Sequence, residues 1–181
     1  MRTPSPRPFI SALVLLACAF CLPLYSAGTF SEFPYREHFE RYGRQYLPDL
    51  DPRWFAAQAK QESNFDRFAR SRVGAMGVMQ LMPGTFAEQS ERLGVDCSPW
   101  SPRCSIQLGI HYDRRMALQF KRDTWLERVP WMLASYNEGL GNVLRHQRAC
   151  GGSRKYADVA PCLYPEARDY VERIYRNFFG T

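Results

Sequence analysis

Between Pro165 and Phe179 the apolar residues Ala167, Tyr170, Val171, Ile174 and Phe178 recur at the spacing that lines one face of an α-helix. No stretch of the chain alternates apolar and polar residues convincingly enough to compete as a strand. Together these patterns predict an all-α fold. The same criteria predict a helix over 37–46 with Phe39, Tyr42 and Tyr46 on one side. A second runs from Arg53 through Trp54, Phe55 and Ala59 to Glu62, with Asp51 as N-cap and Pro52 in the first turn. Further helices are expected over 85–93, stopped by Gly94, over 106–121, capped by Ser105, and over 131–137.

The first residues read differently. Arg2 and Arg7 precede an apolar run from Phe9 to Leu24, and Ser26-Ala27-Gly28 follows, the layout of an export signal. Three fates stay open for residues 1–27: cleavage, although Tyr25 is bulky near the expected site; lipidation at Cys18 within Leu15-Leu16-Ala17-Cys18; and retention as a membrane anchor. The apolar run is short against the roughly 20 residues of a spanning helix. Each fate puts residues 28–181 outside the cytoplasm, in the periplasm, free or attached to the membrane. With 45% hydrophobic residues, that part suffices for one globular domain.

Cysteine usage agrees with export. Beyond Cys18 and Cys21 the chain has Cys97, Cys104, Cys150 and Cys162, an even number that predicts two disulfides in an oxidising compartment. Local pairing, Cys97 with Cys104 and Cys150 with Cys162, is expected, each bridge adding about 2–4 kcal/mol. No Cys-x-x-Cys spacing occurs outside the leader, and His38, His111 and His146 are far apart, so no metal site and no cofactor are assigned. The net charge of +6 is spread singly among acidic residues, which argues against nucleic acid and for a polyanionic extracellular substrate.

One carboxylate stands on the wrong face. Glu62 follows Phe55 by seven residues and Ala59 by three, so it shares their inward side. Burial disfavours the charged carboxylate, raises its pKa above the usual value of about 4.3, and suits it to general acid catalysis near neutrality. The competing reading leaves Glu62 at a frayed helix end in solvent.

The surrounding motifs favour the first reading. Glu62-Ser63-Asn64-Phe65 is followed by Ala69-Arg70-Ser71, then by Gly74-Ala75-Met76-Gly77 and Met79-Gln80-Leu81-Met82-Pro83, and later by Tyr136-Asn137-Glu138-Gly139-Leu140-Gly141. In this order the segments resemble the lytic transglycosylases of the goose-type lysozyme clan, glycoside hydrolase family 23. The resemblance covers roughly residues 39–179. It implies a lysozyme-like helical domain with an active-site groove, occupying 28–181 here. The implied reaction cleaves the bond from N-acetylmuramic acid to N-acetylglucosamine in peptidoglycan without consuming water.

By that resemblance Glu62 is the sole acid and base. It protonates the leaving glycosidic oxygen and then accepts the proton of the muramic acid C6 hydroxyl, which closes onto C1 as a 1,6-anhydro sugar. The usual pair of glycosidase carboxylates is not required; Asp66 and Glu138 are expected as surface or capping residues. Gln80 is expected to project into the groove and hydrogen-bond the substrate, Ser71 to position Glu62 or the substrate or else to cap a loop, and Tyr136 to lie near the acid. Asn137 is expected to hold a turn closed by Gly139 and Gly141, and Tyr170 to face the groove or the core. Gly74 and Gly77 are expected to let a sugar ring approach the backbone. Met76, Met79 and Met82 would supply soft apolar walls, Met82 leaning more toward the core than Met79.

The chain departs from the family pattern at Phe65-Asp66, where Asn-Pro is more usual, and at Phe86, where alanine often stands; both are expected to alter the groove floor. Two other functions stay open: a hydrolysing muramidase of the goose type, and a non-catalytic glycan-binding module. The expected partner is the peptidoglycan glycan strand, with an envelope-spanning secretion or pilus assembly as a candidate for placing so small an enzyme.

Overall fold

The structure, a computed structural model, describes residues 33–120 and 124–180. The N-terminal export or anchor segment, Cys18 and Lys121 lie outside the described residues. Among those described there are eight α-helices and no strand: α1 Arg36–Tyr46, α2 Arg53–Ser63, α3 Pro83–Leu93, α4 Pro102–Ala117, α5 Trp125–Glu138, α6 Leu140–Ala149, α7 Tyr156–Val159 and α8 Pro165–Phe179. No helix among the described residues is long and apolar enough to cross a membrane.

The core forms where α2, α4, α5 and α8 meet. α2 packs on α8, α5 packs on both α4 and α8, and α1 closes the far side of α4. Phe39, Phe55, Ile106, Trp131 and Ile174 are fully buried at these contacts. Trp54 stacks face to face on Phe178 at 3.8 Å between ring centroids, which fixes the start of α2 against the end of α8. α8 follows the apolar stripe of its sequence, burying Ala167, Tyr170, Val171 and Ile174.

Helix boundaries show which local signals act. Asp51 Oδ1 accepts from the Arg53 backbone N–H at 2.9 Å and so caps α2. Gly94 ends α3 in the left-handed conformation. α4 corrects the sequence reading, because it starts at Pro102 and Ser105 is inside it rather than at its cap. The buried Ser105 hydroxyl instead accepts the Met79 backbone N–H at 3.0 Å, serving the neighbouring loop. α5 begins at Trp125, six residues before the expected Trp131. A capping box starts it: Thr124 Oγ1 accepts from Glu127 N–H at 3.2 Å, and Glu127 Oε2 accepts from Thr124 N–H at 2.9 Å. Pro130 is therefore carried within the helix.

α6 and α7 were not expected. Gly139 alone, at φ 87°, separates α5 from α6, and Gly141 is helical, so no turn closed by both glycines exists. The two disulfides pair as the spacing predicts, with Cα–Cα distances of 6.2 Å for Cys97–Cys104 and 6.4 Å for Cys150–Cys162. The first joins the loop before α4 to its first turn, and the second joins the end of α6 to the turn before α8.

Candidate active site

Glu62 is the penultimate residue of α2. The residue as a whole keeps some surface open, while its carboxyl is crowded on nearly every side. That burial pushes its pKa up to about 7, opposed by a hydrogen bond from the Tyr170 hydroxyl to Oε1 at 2.5 Å. The helix C-terminus, a negative dipole end, likewise gives the charged form no support. Three other helices contribute polar side chains nearby: Tyr170 from α8, Tyr136 from α5 and Asp113 from α4. Burial raises the phenols of Tyr136 and Tyr170 well above their ordinary range, and the nearby Glu62 raises both further. Both therefore keep their hydroxyl hydrogens and act as hydrogen-bond donors throughout the neutral range.

The raised pKa carries a stability consequence with a definite sign. A carboxyl whose folded pKa lies above its unfolded value favours folding below the unfolded value, near 4.5. That advantage is lost as pH rises toward about 7. Part of Glu62 remains open, so we expect the loss to be on the order of 2 kcal/mol. Thermal unfolding of the wild type and Glu62→Gln between pH 4 and pH 8 should show the gap opening in favour of the glutamine variant on the alkaline side. Parallel curves would mean that Glu62 ionises as freely in the fold as out of it.

The loop from residue 64 to residue 82 forms one wall. It is tied to α2 by Ser63 Oγ donating to Val78 O at 2.9 Å, and to α4 by Met79 N donating to Ser105 Oγ. Short antiparallel bridges, Arg70 with Met76 and Met76 with Leu81, fold it on itself. Asn64, Phe65 and Gln80 adopt positive φ although none is glycine, a strain of about 1–3 kcal/mol each that the surrounding bonds must hold.

The structure revises several expectations here. Gly77 does not leave room for a sugar: a Cβ there would lie 2.3 Å from the Pro99 carbonyl oxygen, so protein backbone fills the space. Gly74, at φ 92°, has no atom within 4 Å of a Cβ position among the described residues. The Met79 side chain is fully buried and forms no groove wall, packing instead where Gly109 lacks a side chain. Met82, which leaned toward the core in sequence, is 42% exposed. Both methionines lie in irregular backbone, where periodicity assigns no face.

Ser71 Oγ accepts from Ala75 N–H at 2.9 Å, the loop-capping alternative. Gln80 is half-buried and spends both amide hydrogens inside the loop, on Ala69 O at 3.0 Å and Gly77 O at 2.9 Å, which leaves Oε1 as its group for a ligand. Tyr136 donates to Met79 O at 2.7 Å and so fastens the loop to α5. A cleft of about 290 Å³ runs past these residues, lined by Gln80, Met82, Thr85, Tyr112, Tyr136 and Asn137 among others. Asn137 is exposed at its edge.

Of the other acids, Asp66 is an exposed cap, accepting from Phe68 N–H at 2.8 Å. Glu138 is not a surface residue: its side chain is 4% exposed, contacts His146 Nδ1 at 3.1 Å, and accepts from Tyr164 N–H at the start of α8. Phe65 packs its ring toward Phe33 and Phe39, on the α1 side.

Two residues escaped the sequence reading. Asp113 is fully buried, and Gln58 beside it is too. Both carried a legible signal, since Asp113 follows Ile106, Gly109 and Ile110 on one helical face, and Gln58 stands four residues before Glu62 in an otherwise apolar run.

The family model described as "Transglycosylase SLT domain" matches residues 42–159. The chain is similar to a soluble lytic murein transglycosylase of Salmonella typhimurium, 29% identical over 81% of this chain and 23% of the relative. It is also similar to a membrane-bound lytic murein transglycosylase F of Aliivibrio fischeri, 33% identical over 75% of this chain and 31% of the relative. The chain thus spans less than a third of these relatives' length. Its structure superposes on that of an inactive glutamate-to-glutamine mutant of the lytic transglycosylase Slt from Pseudomonas aeruginosa with a TM-score of 0.68. The identity there is 29%, covering 83% of this chain and 25% of the other.

Proposed function

The chain belongs to the transglycosylase SLT domain family and has its lysozyme-like helical fold; on that premise we propose that it is a peptidoglycan lytic transglycosylase with Glu62 as its acid and base. The observation that carries this reading is the Glu62 carboxyl, pushed up to about 7 by burial and bonded to Tyr170, at the end of the helix to which Ser63 ties the cleft-lining loop of Gln80 and Met82. Such a group is poised near neutral pH, available both as the acid that gives a proton and as the base that takes one back.

In the proposed reaction, Glu62 protonates the glycosidic oxygen between N-acetylmuramic acid and N-acetylglucosamine as the C1–O bond breaks. The substrate's own N-acetyl oxygen supports the positive charge at C1. The Glu62 carboxylate then takes the C6 hydroxyl proton as O6 bonds to C1, which restores the acid and releases the anhydro sugar. Tyr170 holds Glu62 throughout, and Tyr136 holds the loop that carries Gln80. Gln80 Oε1 and Asn137 meet the glycan's amide or hydroxyl donors, and Met82 lines the cleft. Ser71 and Met79 act within the loop. Residues 1–27 direct export to the periplasm and 28–181 form the catalytic domain.

Digestion of purified cell wall followed by mass spectrometry tests this reading. Muropeptides lighter by one water at the muramic end support it; reducing ends would assign the chain to the hydrolysing muramidases, and no products at all would leave a glycan-binding module.

Tyr170→Phe separates positioning from acidity. The hydroxyl favours the ionised carboxylate, so its loss raises the Glu62 pKa above about 7 and moves the alkaline limb of the activity profile upward. We expect kcat to fall about 10-fold, the equivalent of one hydrogen bond to a charged group. A limb that moves to lower pH would contradict the assigned donor.

A further inference from the structure

One helical turn before Glu62, on the same face of α2, Gln58 lies against Asp113 of α4, and both side chains are 0% exposed. Gln58 Nε2 donates to Asp113 Oδ1 at 3.3 Å. The remaining oxygens of the pair, Gln58 Oε1 and Asp113 Oδ2, are buried and have no hydrogen-bond partner among the described residues. Were Asp113 ionised, both would be acceptors, and neither could satisfy the other. Orphaned buried oxygens of this kind are rare in folded proteins, and a charged one is the most costly.

One proton resolves both orphans. Placed on Asp113 Oδ2, it is donated to Gln58 Oε1 while Gln58 Nε2 continues to donate to Oδ1, closing a ring of two antiparallel hydrogen bonds. We propose that Gln58 and Asp113 form this proton-sealed acid–amide pair and that it is a positioning unit for Glu62. It ties α2 to α4 one turn below the acid and keeps a second negative charge out of the site. The role for Glu62 rests on the reading of that residue as the catalytic acid; the protonation of the pair does not.

The surroundings agree. The titratable groups that face Asp113 are Glu62 of α2, Tyr112 of α4 itself, Tyr136 of α5 and Tyr170 of α8. Each of them is neutral or negative when it titrates, so none rewards a charge on Asp113. Burial raises the Asp113 pKa well above its ordinary value. A proton that remains on Asp113 through the neutral range leaves Glu62 as the one carboxyl of this cluster that changes charge when the enzyme works.

The experiment combines spectroscopy with kinetics on the full chain. Carbon-13 NMR of the Asp113 carboxyl, assigned by its loss in Asp113→Asn, should report a protonated group from about pH 5 to pH 8, far above the usual aspartate value of about 3.9. An ionised Asp113 at pH 7 would overturn the pair whether or not the enzyme is active. Asp113→Asn preserves the ring, since an asparagine amide donates to Gln58 Oε1 and accepts from Nε2. Its kcat should stay within about 2-fold of wild type, with the same alkaline midpoint. A midpoint lowered by about one unit or more would show that a charge had been removed, and would refute the neutral assignment.

The double variant Gln58→Leu, Asp113→Leu replaces both partners with apolar groups and keeps the site filled. With its helical circular dichroism retained, kcat should drop about 10-fold at unchanged KM, because Glu62 is less well held. Full kcat in that variant would reduce the pair to core filling.

Discussion

Glu62→Gln should lower the release of soluble muropeptides by more than about 10³-fold while the protein remains folded and still binds glycan. The amide matches the carboxylate in shape, and the Tyr170 hydroxyl can donate to its carbonyl oxygen as it does to Glu62 Oε1. What the variant lacks is a transferable proton. Although Glu138 lines the cleft, no other carboxyl among the described residues is placed to substitute, so the loss should not be recovered by lowering the pH. Asp66 is an exposed loop cap, Glu138 is engaged with His146 and the start of α8, and Asp113 is buried behind the acid. The same variant should be more stable than wild type at pH 8, since an acid that resists ionisation has been removed. Undiminished muropeptide release would end the enzymatic assignment of Glu62; lost release with lost helical structure would instead make it a folding residue.

Gly77→Ala should destabilise the protein by about 3 kcal/mol and abolish most activity with it. Two independent costs add. Gly77 sits at φ 72°, a conformation that resists any Cβ, and the Cβ would lie 2.3 Å from the Pro99 carbonyl oxygen, an atom of rigid backbone. Relief would require shifting the loop that Gly77 anchors through its N–H to Ala69 O. The Gln80 amide also bonds to the Gly77 carbonyl, so the displacement reaches the cleft directly. Gly74→Ala is the control: it shares the positive φ but has open space at its Cβ, and about 1 kcal/mol is expected. Thermal or urea unfolding of the two variants measures the difference. Equal, small losses would show that the loop yields to the added methyl group.

The legible parts of the molecule were those where local pattern and tertiary demand agree. α8 is written as an apolar stripe, α2 as a capped start followed by an apolar run, and Glu62 as an acid on the buried face of that run. The early part of α5 was also written, in the capping box Thr124 to Glu127, but Pro130 lies within the same helix and carries the contrary signal. α6 was missed because Gly139 and Gly141 bracket its first residue, and of its ten residues only Val143 is fully buried. In the loop of residues 64–82 the sequence named the participants without their orientations. Met79 and Met82 are identical as residues; one fills the gap above Gly109 and the other faces the cleft, and only the fold of the surrounding backbone separates them.

From its residues alone, then, the chain specified its helical class and its pairing of cysteines, and it marked Glu62 as a candidate inward-facing acid, because each follows from neighbours close in sequence. Which oxygen Tyr170 reaches, 108 residues away, how the Gln80 amide is spent, and the meeting of Gln58 with Asp113 across 55 residues were decided by packing. Such contacts join faces of different helices, and the angle and depth at which helices settle together depend on the whole core at once.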